Sequence, residues 1–121
     1  MTDPTHREIG NTGEDLACEY LQAKGWEILD RNYYFDRAEV DVIAKDGPVT
    51  VFLEVKLRSN TRFGQPFEYV TESKVRNVFK AAEAWVREHD LNDSPMRFDI
   101  IGIVKKKGQE PEFNHIEDAY R

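Results

Sequence analysis

The stretch from Glu39 to Lys56, EVDVIAKDGPVTVFLEVK, constrains the fold of this chain more than any other. Two apolar-rich runs flank Lys45-Asp46-Gly47-Pro48. In the first, Val40, Val42 and Ala44 alternate with Glu39, Asp41 and Ile43. In the second, Val51, Leu53, Val55 and Leu57 alternate with Phe52, Glu54 and Lys56. Period-two alternation marks half-buried strands, and an Asp-Gly-Pro turn between them makes a hairpin. Pairing about Gly47-Pro48 sets Asp41 across from Glu54 and Glu39 across from Lys56. Two carboxylates facing each other on adjacent strands repel. A divalent cation placed between them removes that repulsion.

A length of 121 residues fits a single domain over 1–121 with a modest core, its first eleven residues a loose lead-in broken by Pro4 and Gly10. No apolar run approaches the roughly 18 residues of a membrane span, and the polar start MTDPTHREIG is no signal peptide. The lone Cys18 excludes an internal disulfide and every multi-cysteine zinc pattern. These features predict a soluble cytoplasmic protein without membrane association. The net charge of −6 argues at first against nucleic acid, but the charge is uneven. Residues 1–30 hold two bases against seven acids, whereas residues 56–80 hold Lys56, Arg58, Arg62, Lys74, Arg76 and Lys80 against Glu68 and Glu72. A phosphate backbone responds to the local field of such a patch more than to the total.

Around the hairpin, the other elements follow from periodicity. A helix from Thr12, its N-cap, to about Lys24 carries an apolar stripe of Leu16, Ala17, Tyr20 and Leu21 and ends at Gly25. Glu14 lies in its first turn, either solvated or turned toward the protein, and Cys18 is a packed small side chain. Trp26–Phe35 reads as a strand with an irregularity near Asp30-Arg31-Asn32. A polar loop over 57–66 follows the hairpin, where loops commonly carry ligand contacts. Thr71 caps the longest helix, about 72–88, whose Val75, Val78, Phe79, Ala82, Trp85 and Val86 recur at core-facing spacing. Met96–Val104 is a strand buried on both faces, and Phe113–Ile116 a short edge strand. This order predicts an α/β fold: a mixed sheet, with a crossover helix leading to a strand parallel to one of the hairpin's. The helices are expected to cover the Val40/Val42 and Val51/Val55 side, leaving the acid-bearing ends in a cleft.

Asp41, Glu54 and Lys56 on one sheet face, with Glu39 and Glu14 available, suit Mg²⁺ or Mn²⁺. Such hard cations take carboxylate and carbonyl oxygens, here also the backbone of Val55, together with substrate phosphate oxygens. Lys56 would orient a water or neutralise phosphate charge. Zinc is disfavoured because no His/Cys cluster exists, and His115 reads as structural. Ordinary cross-strand ion pairs, such as Glu39 with Lys56, account for part of the same pattern.

The spacing of Asp41 to Glu54-Val55-Lys56 resembles the D…(D/E)-x-K core of the restriction-endonuclease-like nucleases. A wider set resembles the YraN-like predicted endonucleases, distantly similar to archaeal Holliday junction resolvases. That set comprises Gly10-x-x-Gly13-Glu14-x-x-Ala17, Leu21-x-x-x-Gly25, Asn32-Tyr33, Glu39 to Ala44, Val51 to Lys56, Phe63-Gly64-x-Pro66, Lys74 and Arg97-Phe98-Asp99. The resemblance implies a restriction-endonuclease-like core and a metal-dependent endonuclease acting on DNA, branched or single-stranded. It implies Asp41 and Glu54 as metal ligands, Lys56 as the catalytic lysine, Glu14 as a further acid and Glu39 as a supporting residue. Arg58, Arg62, Lys74 and Arg76 are the candidate nucleic-acid contacts, and a homodimer is expected by analogy with the resolvases. Ala38 stands where a glycine usually precedes the E-x-D motif, and Tyr34 where a basic residue is common. Gln65-x-x-x-Tyr69 resembles a Q-x-x-x-Y element of that superfamily, although Pro66 opposes a regular helix there. Two other functions fit the sequence: a non-cleaving nucleic-acid-binding module of the same fold, and an adaptor docking a protein through Tyr33-Tyr34-Phe35.

Overall fold

The computed structural model describes residues 12–59 and 71–120. Its elements are α1 (Thr12–Ala23), β1 (Glu27–Phe35), β2 (Ala38–Asp46), β3 (Val49–Arg58), α2 (Glu72–Glu88), β4 (Met96–Val104) and β5 (Glu112–Ile116). The five strands form one sheet in the order β1-β2-β3-β4-β5. Only β3 and β4, joined through α2, run parallel; the other neighbours are antiparallel. This is the mixed α/β sheet flanked by helices that the sequence order predicts, and it is consistent with a restriction-endonuclease-like core.

Local chemistry sets the boundaries. α1 stops because Gly25 adopts φ +89, a left-handed position cheap only for glycine. The amides of Gly25 and Trp26 then close back on the carbonyls of Gln22 and Leu21 at 3.0 and 3.1 Å. The β2–β3 turn is Gly47-Pro48, with Asp46 paired to Val49 and Gly47 at φ +59. α2 begins where Thr71 Oγ1 accepts from the Lys74 amide at 3.1 Å. The irregularity in β1 falls at Leu29, where the register shifts, and Asn32 takes φ +53.

The helices lie on opposite faces, which corrects the expectation that both cover one side. On one face Ala17, Cys18 and Leu21 of α1 pack with Val42, Ala44, Val51, Leu53, Ile101 and Ile103. On the other, Val78, Ala82, Trp85 and Val86 of α2 pack with Val40, Ile43, Phe52, Phe98 and Ile100. The strand β4 feeds both clusters, as its continuous isoleucine-rich run anticipated. Val40 and Val42 therefore face opposite ways, not together. The simple alternation of β2 fails between them, at Asp41.

Candidate metal centre

Asp41 sits where β2 and β3 part. Their pairing runs from Asp46↔Val49 to Val42↔Leu53, so the same register carries on to Asp41 and Glu54 as anticipated, but the ladder stops before reaching them. In its place the Val55 amide donates to Asp41 Oδ2 at 2.7 Å. A side-chain oxygen thus takes over a donor that the ladder leaves, and β2 loses its regular pleat at the same point.

The first turn of α1 reaches this break because Gly13 has no side chain. A Cβ at Gly13 would stand 3.3 Å from Leu57 Cβ and 3.5 Å from Val55 Cγ1. With the helix seated that closely on β3, carboxylate oxygens of Glu14, Glu39 and Asp41 lie within 4.8 Å of one another. Of the two alternatives for Glu14, the inward one holds. Burial, acting with the charges of Glu39, Glu14 and Glu54, pushes the Asp41 carboxyl up to about 6, against only one opposing hydrogen bond, from Val55. Three acid groups so close, one of them resisting ionisation, fit a hard divalent cation by their donor chemistry.

Glu54 stands apart from that trio. Its Oε1 accepts from Lys74 and lies 3.0 Å from Lys56 Nζ, while its Oε2 accepts from the Tyr120 hydroxyl at 2.8 Å. Burial raises its carboxyl, but the hydrogen bonds from Lys74, Lys56 and Tyr120 outweigh that and hold it below the usual range. Glu39, Glu54, Lys74 and Tyr120 all border one narrow cavity of about 10 Å³, close to the volume a single water centre needs. Glu54 and Lys56 share a face, as their i, i+2 spacing requires. Asp41 turns instead toward Glu14, and Val55 meets it through its amide.

Three of the proposed nucleic-acid contacts lie among the described residues. Lys74 is drawn in to Glu54; Arg58 is exposed at the end of β3, next to the Leu57 carbonyl; Arg76 is exposed on α2 beside Ser73 and Glu72. Arg62, the Phe63-Gly64-x-Pro66 motif and Gln65-x-x-x-Tyr69 lie outside the described residues, as does the lead-in before Thr12. Tyr33 packs toward α2 and donates to Glu88 at 3.1 Å, while Tyr34 is 68% exposed next to Glu39 on the adjoining strand. Strand alternation thus sets Tyr34 on the face opposite Tyr33 and Phe35, which counts against one contiguous adaptor patch. The Cys18 thiol is pushed up by burial and is a packing group.

Two features escape sequence reasoning. Tyr120 is 66 residues from Glu54 along the chain, and nothing local marks it. Asp99, completely buried, collects Arg97 (3.0 and 3.1 Å), His115 Nε2 (2.8 Å) and the Asp118 amide (3.0 Å). Arg97-Phe98-Asp99 was visible as a motif, and His115 as structural, but their meeting was not.

The model of the uncharacterised protein family UPF0102 matches residues 13–103. The chain belongs to this family. It is the YraN-like family to which the resemblance points. The chain is 44% identical over 115 residues to a UPF0102 protein of Christiangramia forsetii and 42% identical over 115 residues to one of Flavobacterium psychrophilum, each alignment covering 95% of both chains. A UPF0102 protein of Rhodococcus opacus is 43% identical over 112 residues, covering 93% of this chain and 95% of the relative. The UPF0102 match takes in Glu14, Glu39, Asp41, Glu54, Lys56 and Asp99, and ends before β5 and Tyr120.

Proposed function

We propose that this protein is a metal-dependent endonuclease that hydrolyses DNA phosphodiester bonds, with branched or single-stranded DNA as its substrate class. The observation that carries this is the break in the β2–β3 ladder. There Asp41, pushed up to about 6, meets Glu14 and Glu39 opposite the Glu54 that pairs with Lys56. Asp41, with Glu14 and Glu39 beside it and Glu54 joining them in exchange for its lysines, would hold Mg²⁺ or Mn²⁺. A bound divalent cation would stabilise charge on the scissile phosphate and its leaving oxygen. Lys56, 30% exposed and tethered 3.0 Å from Glu54, brings an ammonium to the mouth of the site. There it can donate to a phosphate oxygen or fix an attacking water. Lys74, once released from Glu54, supplies a second positive charge to the same strand of DNA.

Cleavage of single-stranded, duplex and four-way DNA is to be assayed with Mg²⁺ or Mn²⁺ for wild type, Asp41→Asn and Glu54→Gln. The expected outcome is metal-dependent turnover that both substitutions lower by at least 100-fold, about 2.7 kcal/mol of transition-state stabilisation. Turnover that survives both sinks the assignment. One observation favours a non-cleaving module: Glu54 is engaged by three protein donors, Lys56, Lys74 and Tyr120. Such a module would bind DNA with a steep salt slope and turn over with no metal.

A further inference from the structure

Glu54 is held unevenly. Both lysines crowd Oε1, so exchanging them for a cation would leave that oxygen's partners rearranged. The other oxygen has Tyr120 as its hydrogen-bond donor, at 2.8 Å. The terminal torsion of a glutamate is broad and roughly two-fold, so lysines on long flexible stems do little to fix its plane. The Tyr120 hydroxyl can fix it, because the tail that carries it is pinned at successive residues. The Ala119 amide donates to the Phe98 carbonyl at 2.7 Å, and the Asp118 amide to Asp99 Oδ1 at 3.0 Å. Tyr120 itself is 6% exposed and stacks on Phe98 with ring centroids 6.1 Å apart. Asp99 is in turn clamped by Arg97 and His115.

We propose that Tyr120 is a positioning residue for the metal centre: the tail after β5 orients Glu54 for a divalent cation through the Tyr120 hydroxyl. The inference rests on the metal-dependent function proposed above. It extends the site to a segment beyond the family match and assigns the buried Arg97–Asp99–His115 cluster the task of anchoring that segment. A phenol is protonated at neutral pH and so donates to Glu54 there. Hydrogen-bond partners of ligating carboxylates are typically worth about 10- to 100-fold in metal affinity.

Mn²⁺ binding to the full chain, measured by calorimetry without DNA, tests this. Tyr120→Phe keeps the ring on Phe98 and removes only the hydroxyl. It is expected to weaken Mn²⁺ binding by about 10- to 100-fold while the melting temperature moves by a few degrees at most. Val86→Ala, a core truncation on α2, should lower the melting temperature and leave Mn²⁺ affinity as in wild type. If Tyr120→Phe binds Mn²⁺ within about threefold of wild type, or Val86→Ala weakens it equally, the positioning role is overturned and the metal site stands. If wild type binds no Mn²⁺, the metal-dependent function fails and this inference with it.

Discussion

Asp41 carries an electrostatic cost in the fold. Burial chiefly pushes its carboxyl up to about 6 in the fold, against about 3.9 in an unfolded chain. Below about pH 4 it is protonated in both states and contributes no penalty. As pH rises from about 4 to about 6 the native state keeps the proton longer, so this residue subtracts stability across that window and the loss persists above it. The two pKa values imply roughly 2–3 kcal/mol. Glu54 and Asp99 act in the opposite sense: their native values are lowered, so the stability they contribute is present above about pH 4 and fades below it. Asp41→Asn keeps an oxygen for the Val55 amide and removes the charge. In EDTA it should melt with wild type at pH 4 and about 5–10 °C above it at pH 7.5. A difference between the two melting curves that does not change with pH would contradict the assignment of the raised value to Asp41.

At the scale of elements, the two strands of the hairpin were legible to different degrees. β3 alternates as written, because parallel pairing with β4 from Thr50↔Met96 to Arg58↔Val104 keeps its pleat regular. α2 and its Thr71 cap also follow the sequence directly, since a 3.6-residue stripe over seventeen residues has one way to bury its face. β2 misleads, because Val40 and Val42 look alike on paper and the break at Asp41 depends on a tertiary hydrogen bond. The seating of α1 is decided by Gly13, whose motif was visible but whose reason is the approach of β3. Gly13→Val would drive branched carbons into Leu57 and Val55 and lift the first turn of α1. We expect a loss of about 1–3 kcal/mol in urea denaturation, together with weaker Mn²⁺ binding, as Glu14 withdraws from Asp41. Unchanged Mn²⁺ affinity in that variant would remove Glu14 from the site.

For the whole molecule, the charge of −6 and the function proposed pull in different directions until a cation is counted. Three carboxylates within 4.8 Å of one another oppose the approach of a phosphate, and a divalent cation there would reverse the local sign. The same cation would relieve the penalty on Asp41, so metal binding and folding stability would be coupled. Mn²⁺ at about 100 times its dissociation constant should stabilise wild type by about 2.7 kcal/mol, raising its melting temperature by about 10 °C. NaCl at matched ionic strength should not, because screening acts on exposed charges and this group is partly enclosed. Asp41→Asn, the more stable protein in EDTA, should gain little from Mn²⁺, so that wild type draws level with it or overtakes it when metal is added. A parallel rise in both proteins would mean that Mn²⁺ acts elsewhere on an acidic surface, and the ladder break between β2 and β3 would then be a feature of folding alone.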